Sequence, residues 1–172
     1  EGEERRAALL LEAARLYRGP LEDGVGALER YSEVLSVLPG HDGALTDLVA
    51  MVEDPDLSVQ VAELLRAPLL EQGRHKDLAT LLGARAALSH DPEEVATSLR
   101  ELAAVQYERL GDPAGALATT MRLAARGPLE ECTGVLEAAR RLAAELGQLS
   151  EHVAALDKGV EEAEDPRRKA RF

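Results

Sequence analysis

The amino-acid sequence predicts an all-α fold, a solenoid of antiparallel helical hairpins with about nine helices. Three observations carry that expectation. Apolar residues recur at spacings of three and four along the chain, as in Leu9, Leu10, Ala13, Ala14 and Tyr17, and no segment alternates apolar and polar residues as a strand would. Helix breakers interrupt this rhythm at Gly19-Pro20, Pro39-Gly40, Asp54-Pro55, Gly73, Asp91-Pro92, Gly111-Asp112-Pro113, Gly127-Pro128, Gly147 and Asp165-Pro166. The segments between them repeat, and connections this short force consecutive helices to fold back on each other.

Composition sets outer limits. The 172 residues suffice for a sizeable core, read here as one helical-repeat domain over residues 1–172. Aromatic residues make up 2% of the chain and Trp is absent, so the core must be built from leucine and alanine, which suit closely packed helices. With 45% hydrophobic and 30% charged residues the chain has enough apolar surface to fold. A formal charge of -12 repels phosphate, so nucleic acid is not an expected partner, and Arg167, Arg168, Lys169 and Arg171 read as a solvated end. No apolar run reaches the roughly 20 residues that span a bilayer, and the opening EGEERR lacks the order of a signal peptide. No membrane association and a cytoplasmic setting are therefore expected. The lone Cys132 permits no internal disulfide and reads as a small core residue.

Two internal alignments define the modules. One pairs Leu9 with Leu99, Ala13-Ala14 with Ala103-Ala104 and Tyr17 with Tyr107, then Gly26-Ala27-Leu28 with Gly115-Ala116-Leu117 and Pro39 with Pro128, with one added residue in the first turn. The other pairs Gly73 with Gly147, Leu82 with Leu156 and Asp91-Pro92 with Asp165-Pro166. Module one spans residues 1–91, module two 92–166, and 167–172 would begin a truncated next repeat. Pro39 to Gly73 covers 34 positions and Pro128 to Gly147 only 19, so residues 56–72 should form one extra helix between the modules, kinked at Pro68. Because both ends look cut from a longer array, and Ala8, Leu9, Leu11 and Leu16 surround much of the first helix, self-association through the terminal helices is a further expectation.

Small Ala14, Ala27, Ala104 and Ala116, aromatic Tyr17, Tyr31 and Tyr107, and terminal Pro39 and Pro128 together resemble the tetratricopeptide repeat, a helix-turn-helix unit of about 34 residues. The resemblance covers most of the chain, although the family's usual Trp is missing. It implies a right-handed solenoid whose first helices line a concave face. The groove candidates are then Leu11, Arg15 and Arg18 on the first helix and Glu101, Val105 and Glu108 on the third hairpin. One subgroup grips a terminal carboxylate with lysines and asparagines, but this chain contains no Asn.

Catalytic and metal constellations fail on their spacing. Gly24-Val25-Gly26 has Glu29 where the third glycine of a dinucleotide loop would stand, and reads as a helix-opening turn. His41, His75, His90 and His152 are scattered in or beside turns and read as surface residues. Asp54, Asp56 and Ser58 are not in register for a calcium loop, and Asp56 or Ser58 reads as an N-cap. The pairs Glu93-Glu94, Glu130-Glu131 and Glu161-Glu162 read as capping and solubility, and no serine or cysteine stands in an activating context. No catalytic residue, cofactor or metal is expected. The expected function is a non-enzymatic scaffold that binds a protein or peptide along the concave groove. The alternative is a structural or regulatory helical arm of a larger signalling protein, which positions or oligomerises neighbouring domains.

Overall fold

The computed structural model describes residues 2–126 and 132–164. These residues are helical with no strand among them, and they form nine α-helices: α1 (Gly2–Arg18), α2 (Gly24–Val37), α3 (Asp42–Val49), α4 (Ser58–Glu71), α5 (His75–Leu88), α6 (Pro92–Ala104), α7 (Pro113–Arg126), α8 (Cys132–Glu145) and α9 (Leu149–Glu164). A wider π turn, Val105–Arg109, continues α6 and closes with Leu110 N–H donating to the Val105 carbonyl at 3.0 Å. Among the described residues no helix is long and apolar enough to cross a membrane.

Local chemistry sets the helix ends. Asp23 accepts from Gly26 N–H at 2.9 Å to start α2, and Asp112 accepts from Gly115 N–H at 2.9 Å to start α7. Asp91 caps α6 through Glu93 N–H, with Pro92 in the first turn where its missing donor costs nothing. His41 Nδ1 accepts from Ala44 N–H at the start of α3. The chain leaves helices at Gly73, Gly111 and Gly147 with φ of 64°, 60° and 68°, the left-handed conformation that a residue without Cβ adopts freely. The expectation that Asp56 or Ser58 caps α4 is corrected. Leu57 stands at that N-cap without a side-chain hydrogen bond, Asp54 accepts from Asp56 N–H, and Ser58 is buried with its Oγ donating to the Pro55 carbonyl.

The chain divides into two compact units, Glu1–Ser89 and His90–Phe172. In the first, each helix from α1 to α5 packs on the next, and α2 also meets α4 while α3 meets α5. Its core holds Ala14, Tyr31, Leu45, Leu48, Leu65 and Leu81. Residues 58–71 form a helix within 56–72, with Pro68 inside it and α3 and α5 packed against it, but it is not the extra one: the alignment of Gly73 with Gly147 lays α4 on α8, and the short α3 is the helix without a counterpart. In the second unit α6 with its π turn packs on α7, α7 on α8 and α8 on α9, around Leu99, Leu102, Ala116, Leu123, Ala139 and Ala143.

Burial corrects the pairing of α1 with α6. Leu9 is 67% exposed whereas Leu99 is fully buried, Ala14 is buried whereas Ala104 is exposed, and Tyr107 is 44% exposed. The buried faces instead coincide two residues earlier, Ala7, Leu11 and Ala14 against Val95, Leu99 and Leu102. Helices rich in Ala and Leu present apolar residues on several faces, so matching letters misjudged which face turns inward. The pairing of α2 with α7 agrees with burial, since Ala27 and Ala116, and Val34 and Leu123, are all buried. Pro128, Glu130, Glu131, the 167–172 segment and the side chains of Cys132, Glu161 and Glu162 lie outside the described residues.

Candidate functional site

The first three groove candidates form a seam between α1 and α3. Leu11 is half-buried, and its Cδ2 lies 3.2 Å from where a Cβ on Gly43 would stand, so α3 offers bare backbone to it. Arg15 Nε donates to Asp47 Oδ2 at 2.7 Å. Arg18 donates to the carbonyls of Asp47 and Ala50 at 3.0 and 3.2 Å, placing positive charge on the exposed C-terminal carbonyls of α3. Beneath them Tyr31 is fully buried and its hydroxyl donates to Asp47 Oδ2 at 3.4 Å. Asp47 raises the Arg15 pKa through that hydrogen bond and its charge. Burial raises the Tyr31 pKa, and Asp47 adds to the shift.

Of the second three, Val105 is buried in its unit and offers no groove surface, because it continues the buried stripe of Val95, Ser98, Leu99 and Leu102 on α6. Glu101 is half-buried and Glu108 exposed. The six candidates thus divide between the two units, three of them in the α1–α3 seam.

A larger opening lies within the second unit. A mostly apolar cleft of about 700 Å³, within the size range of ligand sites, has α7 as its floor and α6 and α8 as its walls. Ala116, Thr120 and Leu123 come from α7, and Ala103, Val135, Ala138 and Leu142 from the sides. Gly134 adds room, because a Cβ there would meet nothing within 4 Å. Arg100, Arg141 and Glu145 line it as charged groups. Tyr107 spans from the π turn to α8, its hydroxyl donating to the two carboxylate oxygens of Glu145 at 3.1 and 3.3 Å. That hydrogen bond, then the charge of Glu145, raises the Tyr107 pKa.

The shared spacing of Asp23 with Asp112 and Ala27 with Ala116 sets Thr120 opposite Tyr31. Tyr31 fills its unit under α1 and α3, whereas Thr120 is short and turns its Oγ1 back to the Ala116 carbonyl at 2.7 Å. The sequence reading singled out no site here: α2 and α7 share Gly26-Ala27-Leu28 and Gly115-Ala116-Leu117 after their capping aspartates, and beyond that run no position of the two helices is identical.

The histidines need correction as well. His152 is buried, with its Nδ1 lacking a hydrogen-bond partner, and His75 Nδ1 is likewise buried and unpartnered. The spacing of Gly73 and Gly147 puts His152 at the position of buried Leu78, which accounts for its inward placement. Among the described residues no group of three His, Cys, Asp or Glu side chains could hold a metal ion.

Comparison with family models, with curated proteins and with solved structures finds no match for this chain.

Proposed function

We propose that this chain is a non-enzymatic interaction scaffold that binds a protein or peptide segment, and that the cleft between α6, α7 and α8 receives it. The supporting observation is the cleft itself: a mostly apolar surface with charged groups along it, held on three helices that supply a rigid frame. In this reading the helix pairs are antiparallel hairpins of a right-handed repeat array similar to the tetratricopeptide class, and the binding surface is built by leaving one core position small. The reading moves the binding surface away from Arg15 and Arg18, whose hydrogen bonds are made within their own unit.

Peptides selected from a displayed random library on the intact chain test this. Titrated into isotope-labelled protein, they should shift the amide signals of Ala103, Thr120, Leu123, Val135 and Leu142. Shifts confined to the first unit would overturn the assignment of the cleft.

A further inference from the structure

The charge around the cleft runs against the charge of the chain. Over the whole sequence acidic residues outnumber basic ones, 32 to 20, yet two arginines and one glutamate line the cleft. The glutamate, Glu145, is engaged by the Tyr107 hydroxyl, which holds both of its oxygens. Arg141 stands on α8 one turn before Glu145, while Arg100 stands on the opposite wall. An incoming segment therefore meets an apolar floor with a guanidinium on each of two walls. Guanidinium groups pair with carboxylates through several donors in a fixed plane, and do so better where water is partly excluded.

Resting on the proposed scaffold reading, we propose that the occupant is an acidic amphipathic peptide segment of a partner protein: its apolar side chains enter the cleft and an internal Asp or Glu side chain meets Arg141. A basic segment would bring its charge against both arginines, and like-charge juxtaposition is how an interface rejects a wrong partner. The Tyr107 hydroxyl holds Glu145 in place, and among the lining residues the two guanidinium groups outnumber that single carboxylate.

The same displayed library supplies the probe. Selection on the wild-type chain should enrich peptides that combine apolar residues with Asp or Glu, and their affinity, read by fluorescence anisotropy, should fall as salt rises from about 0.05 M to about 0.5 M. Arg141→Glu should weaken the enriched acidic peptides by about tenfold or more and shift a fresh selection toward Lys and Arg. Arg141→Met retains the aliphatic stem and should weaken them less, with both variants checked for an unchanged thermal melt. Enrichment of basic or uncharged peptides that nevertheless map to the cleft would overturn the acidic assignment and leave the scaffold reading standing. Peptides that map outside the cleft would overturn the scaffold reading and this inference with it.

Discussion

Helices α2 and α7 begin alike and part company within two turns. Each starts at an aspartate that accepts from the amide of a glycine three residues on, Asp23 from Gly26 and Asp112 from Gly115, and each buries an alanine one residue after that glycine. Four residues further, α2 carries Tyr31 and α7 carries Thr120. In the first unit the tyrosine is fully buried and its hydroxyl reaches Asp47, which also receives Arg15, so ring and ion pair together close α1 onto α3. In the second unit Thr120 lies on the floor of a cleft of about 700 Å³, and the exposed Tyr107–Glu145 contact spans from the π turn to α8. The two units thus differ at this position, with a fully buried ring in the first and a short hydroxyl side chain beside a cleft in the second, while the first unit keeps an opening of about 620 Å³ elsewhere, between α2 and α4. Interiors hold few voids, so a missing ring appears as surface unless its neighbours move in.

The largest expected effect breaks the closed unit. Tyr31→Thr removes a buried ring and should cost about 3 kcal/mol in urea unfolding, because truncating a buried aromatic forfeits its transfer energy and leaves a cavity. Destabilisation below about 1 kcal/mol would show that α1 and α3 collapse into the space, and that the open unit owes its cleft to something other than Thr120. Next in size, Ala116→Leu should destabilise by about 1–3 kcal/mol through overpacking at a buried position on the floor of the cleft, whereas Ala104→Leu should change stability by less than about 0.5 kcal/mol because Ala104 faces water. Equal effects in thermal melts would restore the pairing of Ala14 with Ala104.

The ion pair sharpens the comparison on a smaller scale. Arg15 is about half exposed, with 49% of its side-chain surface accessible, so the Arg15–Asp47 bridge is screened by solvent. Arg15→Met should cost about 1 kcal/mol or less, with the difference shrinking at high salt. A salt-independent loss several times larger would make the arginine, and not Tyr31, the element that closes the seam.

Alkaline pH gives the smallest effect. The Tyr31 pKa is raised in the folded chain, first by burial and then by Asp47. A raised pKa means that the stabilising contribution is complete below the unfolded value near pH 10 and is lost as pH climbs through the folded value. The urea midpoint should therefore fall above about pH 10, and Tyr31→Phe should flatten that fall. Tyr107→Phe serves as the control for the other raised tyrosine. An unchanged slope in Tyr31→Phe would contradict the buried hydroxyl.

The helix count was legible because nearly every boundary is written in residues with their own backbone demands: prolines that cannot continue a helix and glycines at Gly73, Gly111 and Gly147 that adopt positive φ. Length announced one helix more in the first module but not which: the alignment of Gly73 with Gly147 lays α4 on α8, and the short α3 is the helix without a counterpart. Register was less legible, since Ala-Leu helices carry apolar residues on more than one face and Leu9 reads much like Leu99 until burial separates them. Arg15 and Arg18 were placed on a groove because the resemblance to the tetratricopeptide repeat puts first helices on a concave face, and nothing local announces that Asp47 and the end of α3 await them about 30 residues away. A cleft is harder still to read from sequence. It arises where a side chain is small, and a threonine in α7 has no local pattern to mark it.

The most direct measurement fills that position. Thr120→Tyr places in the second unit the residue that closes the first, and it can be assayed with a library-selected peptide by fluorescence anisotropy beside a thermal melt. The account predicts that peptide affinity falls by about tenfold or more while the folded state survives, because the new ring occupies the floor of the cleft. A Thr120→Tyr chain that folds and binds the peptide as tightly as the wild type would contradict it.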